Sequence, residues 1–89
     1  MTHHVEWVQT ALKELAALWI AAESVVRTKI TKATNEIDTR LSQDPSEQGE
    51  SRPGGRRIMF EAPLAITFRI DNDLVTVLHV WRFRQKDIS

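Results

Sequence analysis

Twelve residues, Asp44 to Gly55 (DPSEQGESRPGG), divide the 89-residue chain into two parts whose apolar residues repeat with different periods. The segment holds two of the three prolines and all three glycines, a composition that neither a helix nor a central strand accommodates. Before it, Ala11, Leu12, Leu15, Leu18, Trp19 and Ala22, then Val26, Ile30, Ala33, Ile37 and Leu41, recur at three- and four-residue spacing, the period of an amphipathic helix. After it the period is two: Leu64, Ile66, Phe68 and Ile70 alternate with Ala65, Thr67 and Arg69, the pattern of a strand with one covered face. A chain of this length supports a single core, so both parts must pack against each other.

The helical part has no glycine or proline between Gln9 and Gln43, and its stripe stays in phase, so one helix or two are both open. One helix over this span would be about 50 Å long, out of proportion to a small domain. The preferred reading is a break near Ala21-Ala22-Glu23, with Ser24 capping a second helix. Upstream, His4-Val5-Glu6-Trp7-Val8 alternates and is rich in strand formers. Downstream, Arg57-Ile58-Met59-Phe60-Glu61 precedes a turn at Ala62-Pro63, and Asp71-Asn72-Asp73 offers hairpin-turn chemistry before the apolar strand Leu74 to Trp81. The expected architecture is α+β, in the order β-α-α-β-β-β, with a helical hairpin on one face of a small antiparallel-rich sheet.

Charge is unevenly spread. Residues 1–50 carry five basic against eight acidic residues, whereas residues 51–89 carry seven against four, and six of those seven are arginine. Arginine's planar fork suits phosphate and carboxylate, so Arg52, Arg56, Arg84 and Lys86, with Trp81 as an aromatic neighbour, form the candidate nucleic-acid or target-binding set. The competing reading is a solvated strand face and a frayed C-terminus. There is no cysteine, which removes thiolate metal sites and cysteine nucleophiles. His3, His4 and His79 make no metal-ligand spacing, and Gly54-Gly55 lacks the lysine and following helix of a phosphate loop. No cofactor or metal is expected. The N-terminus has no basic-then-apolar leader and no apolar run spans a bilayer, so a cytoplasmic protein without membrane contact is expected.

The stretch RRIMFEAPLAITFRIDNDLVTVLHVWRFRQKD resembles the RelE/ParE toxins of type II toxin–antitoxin systems, also known as plasmid stabilisation proteins: a basic strand, a turn, a "Y-R-V-x-Y-x-I" strand, an acidic hairpin turn and a "V-x-V-L-x-V-x-x-R" strand. The VEW near the N-terminus and the DPxxxGE segment of the loop are similar to members as well. The resemblance implies a bacterial toxin held inactive by a cognate antitoxin. It leaves two mechanisms open, inhibition of DNA gyrase by binding (ParE-like) or ribosome-dependent cleavage of messenger RNA (RelE-like). For the nuclease, the candidate catalytic residues are Arg57, Arg69, His79 and Arg82. Against it, the family's frequent "Y-R" pair in the third strand is Leu64-Ala65 here, which removes an arginine expected to stabilise the cleaved phosphate. Binding is therefore the preferred mechanism, either of gyrase or as a degenerate interaction module, and a homo-oligomer remains open.

The side of the sheet taken by His79 hinges on one turn. A three-residue turn after Ile70 puts His79 on the open face with Ala65, Thr67 and Arg69. A two-residue turn sets it behind Ile66, toward the helices, because a one-residue slip reverses the faces.

Overall fold

In the computed structural model, which describes residues 2–83, the elements follow the chain as β1 (His4–Trp7), α1 (Gln9–Ala21), α2 (Ser24–Gln43), a 3₁₀ turn (Pro45–Glu47), β2 (Glu50–Arg52), β3 (Arg56–Glu61), β4 (Leu64–Asp71) and β5 (Leu74–Arg82). The strands form one sheet in the order β1-β5-β4-β3-β2. Every pairing is antiparallel except that of β1 with β5. Both helices pack on one face, where Ile30, Ile37 and Leu41 of α2 and Ala11 of α1 meet Met59, Leu64, Ile66, Phe68, Val75, Val77 and Val80. The α+β expectation holds, with one added strand. Residues Glu50–Arg52 of the anticipated loop pair with β3 as a short edge strand.

The helical segment breaks at Ala22-Glu23, and the break has its own anchor. Arg27 of α2 donates from Nε to the carbonyl of Trp19 (2.8 Å) and from Nη2 to that of Ile20 (3.0 Å), satisfying acceptors left over at the end of α1. Its guanidinium also stacks over the Trp19 ring, 4.3 Å from the centroid. Ser24 is the first residue of α2 rather than its cap. Glu23 takes the cap position without a side-chain hydrogen bond.

The loop after α2 is fastened at both ends. Arg40 bonds Gln48 (2.8 Å) and pairs with Glu61 of β3 (2.7 Å), and Pro45 is buried. Arg57 reaches back to the carbonyls of Gln48 (3.0 Å) and Gly49 (3.2 Å) and to Ser51 Oγ (2.8 Å). Gly49 has φ +68°, and a Cβ there would fall 2.1 Å from the Ile58 carbonyl oxygen, whereas Gly54, φ +82°, faces open space. Gly49→Ala is therefore expected to destabilise the fold by about 2 kcal/mol or more, and Gly54→Ala by about 1 kcal/mol. Urea denaturation of both variants checks this, and equal losses would mean that the Ile58 backbone yields freely.

Candidate functional site

The hairpin joining β4 to β5 decides which side chains the uncovered face presents. Asp71 pairs with Leu74 across the two-residue turn Asn72-Asp73, with Asn72 at φ 52°, the left-handed conformation such a turn requires. Continued without interruption, this register would set His79 opposite Ile66. Instead Phe68 pairs with Val77 and Thr67 with His79, leaving Leu78 as an extra residue in β5. This bulge shifts the parity. Val75 and Val77 before it, and Val80 after it, all reach the core, while His79 opposes Thr67 on the open face. The short turn is thus combined with the face assignment expected of the longer one.

Residues paired across strands share a face, so the register sorts the open face into rows. One row runs Arg52, Arg56, Arg69, Thr76 and Glu6. The next holds Glu50, Ile58, Thr67 and His79, and the third Phe60, Ala65 and Trp81. Arg52 is paired with Glu50 (3.2 Å). Arg56 and Arg69 are directly opposite each other, exposed, and make no hydrogen bond or ion pair with any described residue. Like charges so placed repel, and an anion between them would relieve the repulsion. At the aromatic end, Phe60 (53% exposed) and Trp81 (37%) flank the buried Ala65, and Phe83 packs edge-on against Phe60, centroids 5.0 Å apart.

Of the expected catalytic set, Arg69 and His79 lie on this face. Arg57 opposes Phe68 and Arg82 opposes Leu64, both on the parity of the core residues, and the guanidinium of Arg57 is taken up by the loop. The four are not brought together. His79 Nδ1 lies 3.4 Å from a carboxylate oxygen of Glu14 on α1. Of the binding set, Arg52, Arg56 and Trp81 share the open face, while Arg84 and Lys86 lie outside the described residues. Among the described residues no three His, Asp or Glu side chains are grouped to hold a metal ion, and no helix is long and apolar enough to cross a membrane.

A second surface was not anticipated. Between α1 and α2 runs a groove of about 490 Å³ floored by Leu12, Leu15, Ala16, Ile20 and Ile30, continuing past Trp19 to a rim with Arg27 and Lys32. Trp19 is 42% exposed on its wall, and Ile20 is 69% exposed. The signal was in the sequence: Leu12, Ala16 and Ile20 form a second apolar stripe beside the buried one, so α1 has more apolar surface than the core can cover.

No protein-family model matches the sequence, and no curated protein does. Solved structures do match in shape. A chain of the chromosomal ParDE toxin–antitoxin system from Pseudomonas aeruginosa superposes with TM-score 0.74 at 19% identity, over 93% of this chain and 98% of that one. A chain of the RelBE2 toxin–antitoxin complex from Mycobacterium tuberculosis gives 0.71 at 20% identity, over 93% and 100%. A mutant of the E. coli toxin RelE in the free state gives 0.60 at 16% identity, over 92% and 84%. The chain therefore has a RelE/ParE-like fold.

The opposed arginines generate a prediction. Arg69→Thr is expected to raise the unfolding free energy by about 0.2–1 kcal/mol by removing the repulsion, while weakening retention of the protein on a phosphate-bearing resin. Chemical denaturation and salt elution measure the two effects, and a loss of stability would show that the Arg69 stem packs favourably on the sheet.

Proposed function

We propose that the chain is the toxin-like component of a type II toxin–antitoxin pair, that it acts by binding its target, and that an antitoxin holds it inactive. The fold supports the general role. The mechanism rests chiefly on the division of the candidate catalytic residues between two faces. Cleaving RNA through its 2′-hydroxyl requires a base, an acid and cations converging on one phosphate. Here Arg57 is engaged by the loop on the helix side, Arg82 has the same parity, and the β4 position that by the family resemblance would carry a further cation is the buried Ala65. The open face instead combines an anion-attracting row with an aromatic one, a surface suited to recognition. By resemblance to ParE, DNA gyrase is the target to test first.

An antitoxin accounts for the exposed apolar surface as well. The groove and the Phe60–Trp81 row leave apolar side chains uncovered among the described residues, and a chain this small gains stability when a partner covers such surface. At a hundredfold excess over its Kd, a partner that binds only the folded chain adds about 2.7 kcal/mol. The product of an adjacent short reading frame is thus expected to raise the melting temperature, and an unchanged melting temperature would remove that product as the partner.

Expression of the chain alone in a bacterium tests the mechanism. Growth arrest with a DNA-damage response is expected. Arrest with messenger RNA cut in the ribosomal A site would replace binding by RelE-like cleavage, and unimpaired growth would end the toxin reading.

A further inference from the structure

The outer edge of β5 is only half covered. β1 pairs with Leu74 to Val77 and no further, and the Val8 amide closes that contact on the Val77 carbonyl (3.1 Å). β5 continues to Arg82, and no described strand lies beside the continuation. The Val80 N–H points outward, since it donates to Glu14 Oε1 of α1 (3.2 Å) rather than to β4. Outward groups recur every second residue, so Arg82 presents its N–H and carbonyl on the same side. An uncovered strand edge of this kind is a template for another strand unless something blocks it. Among the described residues Glu14 is the group that occupies it, at the Val80 amide.

Backbone alternation restricts which strand fits. Only Val80 and Arg82 face outward, and an antiparallel copy of the same segment answers them: Val80 exchanges two hydrogen bonds with Arg82 of the second copy, and Arg82 two with its Val80. The two-fold axis then passes at Trp81, which meets its own counterpart as a non-hydrogen-bonded pair with Cα atoms about 4.5 Å apart. Trp81 stands at the end of the Phe60–Ala65–Trp81 row, so self-pairing joins two aromatic rows into one across six strands. Charge points the same way. Arg82 has the parity of Val80, so Arg82 of the second copy arrives beside Val80 on the side from which Glu14 approaches. Its carbonyl replaces Glu14 on the Val80 amide, and its guanidinium meets the displaced carboxylate.

We propose that the chain pairs with a second copy of itself through the outer edge of β5, with the two-fold axis at Trp81, and that Glu14 moves from the Val80 amide to Arg82 of that copy. This stands independently of the toxin reading, because it uses only the edge of the sheet.

Sedimentation equilibrium of the full chain across the micromolar range tests it. A species of about twice 10.2 kDa is expected at the upper end. Arg82→Pro removes one inter-copy donor without touching the β4 ladder, as proline on an edge permits, and is expected to yield the 10.2 kDa monomer with an unchanged circular dichroism spectrum. Glu14→Arg opposes two cations and is expected to weaken association about tenfold or more, and adding Arg82→Glu to it is expected to restore the dimer. Monomer at every concentration overturns the proposal, as does a dimer that survives Arg82→Pro or a charge-reversed pair no tighter than Glu14→Arg alone. If Arg82→Pro does not fold, the charge-reversal series decides.

Discussion

The pairing of β4 with β5 is the contact on which the rest of the molecule depends. It joins the longest strands, carries the centre of the core through Leu64, Ile66, Phe68, Val75, Val77 and Val80, and has β1 on one flank and β3 on the other. A two-residue turn sets its register and a one-residue bulge then changes it. Without the bulge Val80 would leave the core and His79 would enter it. Burying an imidazole with no partner costs more than the ladder bond a bulge disrupts, so the apolar pattern of both halves of β5 can be honoured only if Leu78 is set aside.

Around this pairing, arginines serve two different ends. On the helix side they are consumed by structure: Arg27 closes the end of α1, Arg40 joins α2 to β3, and Arg57 secures the loop. Each meets carbonyls or a carboxylate, so its charge is answered within the fold. On the open face Arg56 and Arg69 are set opposite each other with no acid between them. That arrangement lowers stability.

The aromatic end of the same face and the groove between the helices present the complementary case, apolar surface that the small core leaves uncovered. In a chain of this size the core is saturated early, and α1 in particular has two apolar stripes with only one sheet to cover them. The Glu14 carboxylate belongs to the same economy of edges: it satisfies the Val80 amide where β1 ends. Surface row, groove and edge thus offer different chemistries, cationic, apolar and backbone, on one compact scaffold.

Much of this was legible in the residues. The change from a helical to a two-residue period across Asp44 to Gly55, the helix break near Ala22-Glu23, the core face of Leu64, Ile66, Phe68 and Ile70 and a hairpin turn within Asp71-Asn72-Asp73, though not its length, all follow from local propensity and burial, which a sequence carries within a few residues of each position. The RelE/ParE-like architecture followed from the same elements in order. The face of His79, the capture of Arg57 by the loop, the exposure of Trp19 and the reach of Glu14 to an amide 66 residues away did not. Each depends on which strand or helix lies beside the residue, and that is decided by long-range pairing and a bulge whose cost is met only when the whole core assembles.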